Sequence, residues 1–450
     1  MKQVPIPSTK KFTPAQIIVS YYFIAIAISV GLLSLPGVKE QDVQISFIDT
    51  IFIAVSAVSV TGLSPVNIAD TYTAFGYIII IVILQLGGIG IMSIGTFIWL
   101  IAGKKIGLRE RQLIMIDHNQ PNLSGVVKLI REIVKILLLI QLIGATILSL
   151  YYLQFYENPR FAILNGVFST VSATTNGGFD INGNSLQSFH QDYFVQVIHM
   201  ILIVMGAIGF PVLIEVKEFL SNKNKAFRFS LFTKITTVTY GLLLIIGAIG
   251  IYVLEYFNTF RYLPWHEAIF GALFHSVSSR SGGLTTMNVE MFDQGTNFFM
   301  SFLMFIGASP SSVGGGIRTT TLAIALLFLI NFSRGKNQIQ IFGREIHLID
   351  VFRSYAVILL AALMVIFSAI LLTVTEPTIP ITALIFEITS AFGTCGMSLG
   401  VTDDLSGIGK VTIMILMFIG RVGLISFLFT LGGKSNSTNY HYPKERVIIG

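Results

Sequence analysis

Long stretches without charge limit this chain to a small set of folds. Residues 12–38, 71–103, 136–156, 193–214, 235–254, 294–317 and 354–375 contain no Asp, Glu, Lys or Arg, and 411–433 contains only Arg421. Each is at least about the 20 residues that a helix needs to cross roughly 30 Å of hydrocarbon. Only 12% of the 450 residues are charged and 53% are hydrophobic. In water such a chain would expose contiguous apolar patches and aggregate. We therefore expect an all-α polytopic membrane protein with eight transmembrane helices. The first stretch is too long for a signal-peptide core, and no small-residue cleavage site follows it, so it is expected to stay as the first span. The single cysteine, Cys395, excludes an intrachain disulfide framework and a multi-cysteine metal site.

The basic residues orient the spans. Twenty-one Lys and Arg fall in the N-terminal tail, the loops at 103–131, 217–234 and 334–353, and the C-terminal tail. The opposite connections hold only Lys39, Arg160 and Arg261. Cationic loops translocate poorly, so both termini are expected on the cytoplasmic side. The net charge of +6 then reads as an orientation signal beside anionic lipid rather than a nucleic-acid site.

The outward connections repeat. They read FIDTIFIAVSAVSVTGLSPV (47–66), LNGVFSTVSATTNGGFD (164–180), AIFGALFHSVSSRSGGLTT (268–286) and ALIFEITSAFGTCGMSLG (383–400). Aligned on their last turn they give SVTG, TNGG, RSGG and GTCG, ending at Gly62, Gly178, Gly283 and Gly396. Such a recurrence marks an internal repeat of one helix, one short segment and a second helix. We place the repeats at 1–120, 121–225, 226–340 and 341–434, with a tail at 435–450. The segments before each glycine are too short to span and too apolar to lie in water. A short helix entering the membrane with an extended return satisfies both constraints. Irregular backbone survives at that depth only where protein or a water-filled path satisfies its polar groups. Four returns around one axis can offer carbonyls in place of a cation's hydration shell.

At these residues the chain resembles the Ktr/Trk/HKT superfamily of potassium transporters, and specifically the bacterial KtrB/KtrD-type membrane subunit. The four glycine turns, FGTCG with the following MSLG, and MFIGASPSSVGGGIRTTT (304–321) carry the resemblance. It implies four helix–pore-loop–helix repeats around one pore, in a bacterial plasma membrane protein that takes up potassium. It implies a homodimer and a cytoplasmic ring of RCK-type subunits that bind ATP or ADP, with no cofactor on this chain and with sodium as a possible activator. By position, the potassium filter would comprise Val60, Thr61 and Gly62; Asn176, Gly177 and Gly178; Ser281, Gly282 and Gly283; and Thr394, Cys395 and Gly396. Plant relatives that prefer sodium carry serine where this chain has Gly62. No repeat holds a full TVGYG, which implies fewer binding positions and softer selectivity than in a potassium channel.

The sixth span departs from its counterparts. Residues 307–321, GASPSSVGGGIRTTT, interrupt it with Pro310 and three successive glycines. Proline costs about 3 kcal/mol inside a helix and glycine about 1. We expect a helix broken by a polar loop, against the alternative of a kink lined by small residues for packing. The resemblance makes this loop the gate below the filter, with Gly307, Ser311, Ser312, Gly314, Gly315, Gly316 and Arg318 in it and Arg421 beside it. Arg421 lies roughly 15 Å along its helix from Lys410, near mid-bilayer. A central arginine costs at least about 2.5–3.5 kcal/mol, so it should find water or a partner. It is a positive barrier in the pathway or it binds carbonyls of the broken helix, and the two hold together if the loop's carbonyls or hydroxyls are its partner. Arg280 and Glu387 are expected to share a charge network behind the filter. Asp49, Asp180, Asp403 and Asp404 either concentrate cations at the mouth or are solvated loop residues.

No GxxxxGK[ST] loop and no HExxH pair are present, so neither ATP hydrolysis nor zinc-peptidase chemistry is expected. QLGGIG at 85–90 lies inside a span and suits helix packing. The terminal VIIG, after a polar linker, suggests docking at an interface, against the default of a disordered terminus. Beside the gated potassium pathway, three readings stay open: a sodium-selective or sodium-coupled pathway of the same fold, an alternating-access transporter, and a membrane enzyme. Clustered His, Asp and Glu on the spans would favour the last, and they are absent.

Overall fold

The computed structural model describes residues 14–41, 43–90, 125–221, 227–336 and 338–424, with isolated positions 93, 106, 107, 111 and 115. It is built almost wholly of helices. Each of four units begins with a long apolar helix: α1 (Pro14–Leu33), α5 (Val126–Tyr152), α9 (Leu231–Glu255) and α13 (Leu348–Thr375). Among the described residues these four are long and apolar enough to cross a bilayer unbroken. Their outer faces stay apolar. Phe23, Ile24 and Ile28 on α1, and Leu359, Leu363, Phe367 and Ile370 on α13, are all exposed. In water this surface would aggregate; in a bilayer it is the lipid face.

A short helix follows each: α2 (Phe47–Ser59), α6 (Pro159–Thr174), α10 (Trp265–Ser278) and α14 (Ile381–Phe392). These bury small polar side chains, including Ser56, Ser172, Ser278 and Ser390. The fold is thus apolar outside and polar toward its axis. A one-turn helix, α3 (Ile68–Thr71), precedes the second helix of the first unit. The second helices are α4 (Ala74–Ile89), α7 (Tyr193–Ala207), α11 (Gln294–Phe305) and α15 (Gly407–Val422). Thr73, Asp192, Asp293 and Ser406 cap them, each side chain accepting a backbone N–H of the first turn.

The units close on themselves. α4 packs against α6, α7 against α10, α11 against α14, and α15 back against α2. The second helix of every unit therefore touches the short helix of the next, in a ring of four.

Two sequence expectations need correction. The sixth span is not alone in being broken. α4 ends at Gly90 (φ 91°) and α15 at Gly423 (φ 88°). α7 ends before Gly209 (φ 101°), and α8 (Phe210–Ser221) leaves it at 105°. Hydropathy windows run across such breaks because, apart from Arg421, the residues around them are uncharged. In the third unit, the interruption runs from Ile306 to Arg318, and α12 (Thr319–Ser333) takes up the three threonines assigned to the loop. The basic loop after α12 holds a two-stranded hairpin, β1 (Gln340–Ile341) and β2 (Arg344–Glu345). The VIIG end and most of the 103–131 loop lie outside the described residues.

Candidate functional site

The twelve residues singled out in the glycine turns come together at the axis. In each unit the ring glycine has positive φ: 97° at Gly62, 67° at Gly178, 75° at Gly283 and 97° at Gly396. Two residues earlier, Val60, Asn176, Ser281 and Thr394 also have positive φ, at 56°, 53°, 74° and 46°. Left-handed backbone costs an L-residue roughly 1–2 kcal/mol. Its appearance at four equivalent non-glycine positions points to a shape that the surrounding structure imposes. Alternating φ signs turn successive carbonyls toward one side of a strand, as a row of cation ligands requires.

The turns touch one another. A Cβ on Gly62 would lie 2.5 Å from the Gly177 carbonyl oxygen and 2.9 Å from Gly178 Cα. One on Gly178 would lie 3.2 Å from Gly283 Cα, and one on Gly283 would collide with the Cys395 carbonyl. One on Gly396 would strike the Thr61 carbonyl and lie 3.0 Å from Gly62 Cα. The contacts run 62–178–283–396–62 and close. All four helix C-termini end within a few residues of this ring. A helix C-terminus carries roughly −0.5 elementary charge, so the four together favour a cation at the axis.

Sequence reasoning missed the residues that hold the ring. The carbonyls of Ser56, Ser172, Ser278 and Ser390 accept the N–H groups of Thr61 (2.8 Å), Gly177 (2.6 Å), Gly282 (2.6 Å) and Cys395 (2.8 Å). Their hydroxyls work in two ways. Ser56 and Ser390 accept the N–H of Gly62 and of Gly396, both at 3.1 Å. Ser172 and Ser278 donate to the carbonyls of Phe179 (2.6 Å) and Leu284 (2.5 Å). A serine six residues before the glycine in three repeats, and five in the third, was the available signal. The Cys395 thiol donates to the Ser278 carbonyl at 3.3 Å, tying the fourth turn to the third.

Outside the ring lies a cavity of about 470 Å³. Asp180, Glu290 and Asp403 line it with the four glycines. Glu290 was not foreseen. Asp49 is turned away, ion-paired with Lys410 at 2.7 Å, and Asp404 is not among the lining residues. Asp180 accepts the N–H groups of Asn182 (3.0 Å), Gly183 (2.8 Å) and Ser185 (3.1 Å), which shape the second turn's exit.

Behind the ring, against Ser281 and Thr394, lies the interrupted segment of the third unit. Its two ends meet. The Ile317 N–H donates to the Phe305 carbonyl at 3.3 Å, and the Ala308 N–H to the Gly315 carbonyl at 3.2 Å. Its tip touches the filter candidates directly, because the Gly315 N–H donates to Thr394 Oγ1 at 2.6 Å. Ser281 Oγ donates to the carbonyls of Gly393 (2.8 Å) and Thr394 (2.9 Å) beside it. The segment also lies across the ends of the other second helices. Ser309 and Val313 donate to the carbonyls of Ala207 and Gly206, and the Ser311 carbonyl accepts from Phe210. Ser312 is buried, its hydroxyl donating to the Ser309 carbonyl at 2.6 Å. A Cβ on Gly314 would strike Ser281, one on Gly315 would strike Thr394, and one on Gly316 (φ 74°) would lie only 3.1 Å from Gly307.

Two arginines clasp this segment. Arg318 donates to the Gly314 carbonyl within its own turn. Arg421 donates to the carbonyls of Val313 and Gly87, with Gly88 at 3.4 Å. The carbonyl partner considered for Arg421 is therefore present, and QLGGIG supplies part of it. Gly87 packs against Ala57, Val58 and Val60, and Gly88 against Thr175, as a packing motif should. The expected network of Arg280 with Glu387 is not formed. Glu387 accepts from the Thr402 hydroxyl, while Arg280 donates to the Ile306 carbonyl at 2.6 Å. Sequence position placed both near the filter but not on which side of its backbone.

Comparison with known proteins agrees with this architecture. Residues 8–440 match the family model of TrkH, described as a cation transport protein. The chain is 53% identical to Ktr system potassium uptake protein D of Bacillus subtilis (strain 168), over 97% of each chain. It is 35% identical to Ktr system potassium uptake protein B of the same strain, over 98% of this chain and 97% of that one. The crystal structure of the potassium transporter TrkH from Vibrio parahaemolyticus superposes with a TM-score of 0.73 at 18% identity. That match covers 94% of this chain and 86% of the other, and it speaks for the fold. This chain belongs to the TrkH/Ktr family of cation transport proteins, which are multi-pass plasma membrane transporters and not enzymes.

Proposed function

We propose that this protein takes up potassium through the ring at Gly62, Gly178, Gly283 and Gly396. The observation that carries the reading is the closure of four equivalent left-handed turns into one ring. An alternating-access carrier needs no four-fold ring of backbone, whereas a dehydrating cation does. Both B. subtilis relatives are named as potassium uptake proteins. The filter is formed by Val60, Thr61 and Gly62, Asn176, Gly177 and Gly178, Ser281, Gly282 and Gly283, and Thr394, Cys395 and Gly396. Expression in cells lacking their own potassium uptake should restore growth at low external potassium. Failure of a well-expressed chain, with its partner supplied, to restore it would count against the reading.

The gate in this proposal is the segment from Ile306 to Arg318. It lies under the ring and is bonded to Thr394. The termini and the basic loops face the cytoplasm, where a nucleotide-binding ring of RCK type bears on them, and two copies of the chain form a homodimer. Sodium acts as a stimulating ion.

Arg421 holds the gate closed in this reading. Arg421→Ala leaves the carbonyls of Val313 and Gly87 without that donor and removes a positive charge from the pathway. Charge-assisted hydrogen bonds contribute about 1.5–3 kcal/mol each, so losing one corresponds to roughly a tenfold shift in a closed–open equilibrium. Basal flux in vesicles should rise about tenfold with near-normal expression. Lower thermal stability without any gain in flux would remove Arg421 from the mechanism.

A further inference from the structure

We infer that Arg280 is a positioning residue that couples the filter to the gate. Its guanidinium has no exposure to solvent. It lies one residue before Ser281, in the third turn of the ring. Nη1 donates to the carbonyl of Ile306 at 2.6 Å, at the point where α11 ends and the gate segment starts. Nε and Nη2 have no hydrogen-bond partner among the described residues, and neither does the buried Tyr240 hydroxyl. Tyr240 and Cys395 are near enough to interact electrostatically with the guanidinium. No carboxylate pairs with it among the described residues.

A buried guanidinium tied to one carbonyl is a joint with spare donors. Its backbone moves with the third filter turn. Its head moves with the first peptide of the gate segment. Ser281 then reaches Thr394, whose hydroxyl accepts the Gly315 N–H at the segment's tip. The filter is thus bound to the gate at both ends, through Arg280 at the base and Thr394 at the tip. An ion that spreads or contracts the ring shifts Arg280, and Arg280 carries that shift to Ile306. If the Ile306 carbonyl moves away, the unpaired N–H groups on Nε and Nη2 can form a bond to the unpaired Tyr240 hydroxyl. The guanidinium then has one partner in each arrangement, the Ile306 carbonyl in the first and the Tyr240 hydroxyl in the second, as a two-state element requires.

This inference rests on the gated-pathway reading. The test uses the full chain in vesicles with Ser312→Cys as a reporter, modified by a membrane-impermeant thiol reagent from the cytoplasmic side. Cys395 is the only native cysteine and is buried. In the parent, the modification rate should differ severalfold between saturating potassium and sodium. Arg280→Gln is too short to reach Ile306. It should raise the rate and abolish its dependence on the ion. Arg280→Lys keeps the charge and a donor, and should restore the ion dependence. An Arg280→Gln protein with parental ion dependence overturns the coupling. If Arg280→Gln does not fold, deuterium exchange on the parent decides. Peptides spanning 278–283 and 303–316 should change protection together when potassium replaces sodium, and independent changes overturn it. A parent with no ion-dependent rate and no selectivity sinks the gated-pathway reading itself.

Discussion

Deleting residues 311–316 should give a chain that still assembles in the membrane and conducts without a cytoplasmic partner. The segment goes out and returns to its starting point. Ile317 donates to the Phe305 carbonyl, so its flanks already touch and a shortened connection can close. The removed residues bury little apolar side-chain area, only that of Val313 and glycine or serine backbone. The packing of α11 on α14 and of α12 on α13 is left in place. What is lost is the bond from Gly315 to Thr394, the Arg421 contact at Val313, and the bridge to Ser311 from Phe210. Each 1.4 kcal/mol of closed-state bias is a factor of ten, so basal flux should rise by at least about tenfold. Partner addition should then have no effect. A folded deletion protein with the parent's partner-dependent flux would leave the segment as a packing kink.

The second large effect is expected at Gly62. Gly62→Ser places a side chain at φ 97°, a conformation that L-residues rarely adopt, and aims its Cβ at the Gly177 carbonyl. That carbonyl belongs to a residue of the second filter turn, so the first turn cannot accept the serine without moving its neighbour. The ring should distort, and its fit to dehydrated potassium should weaken relative to sodium. A loss of roughly 1.4 kcal/mol in that preference is a tenfold fall in relative permeability. Unchanged relative flux in vesicles would show that Gly62 does not line the narrow point.

Much of this arrangement was legible in the sequence because it repeats. The turns SVTG, TNGG, RSGG and GTCG share a place in the hydropathy pattern, and the structure brings all four to one ring. The caps Thr73, Asp192, Asp293 and Ser406 were not singled out in the sequence, although their residue types suit a side-chain oxygen that takes up a free first-turn N–H. The break at Gly209 and the helix ends at Gly90 and Gly423 were less visible. A single glycine is tolerated inside a helix at about 1 kcal/mol, so nothing local separates a break from a packing glycine. Only the PSSVGGG run in the third unit was strong enough to stand out. The partner of Arg280 was beyond reach for another reason. Sequence places a buried charge at a depth, while its partner depends on which neighbouring backbone the fold brings behind the turn.

The most direct test of the central claim is competitive flux of potassium, rubidium and sodium through the purified chain in sealed vesicles, under conditions that hold the gate open. On the proposed reading the ring's carbonyls replace the hydration shell of potassium, so the parent should pass potassium and rubidium at similar rates and sodium at least about tenfold more slowly, and Gly62→Ser should erase most of that difference. Equal passage of all three ions through the parent, unaffected by Gly62→Ser, would contradict the account.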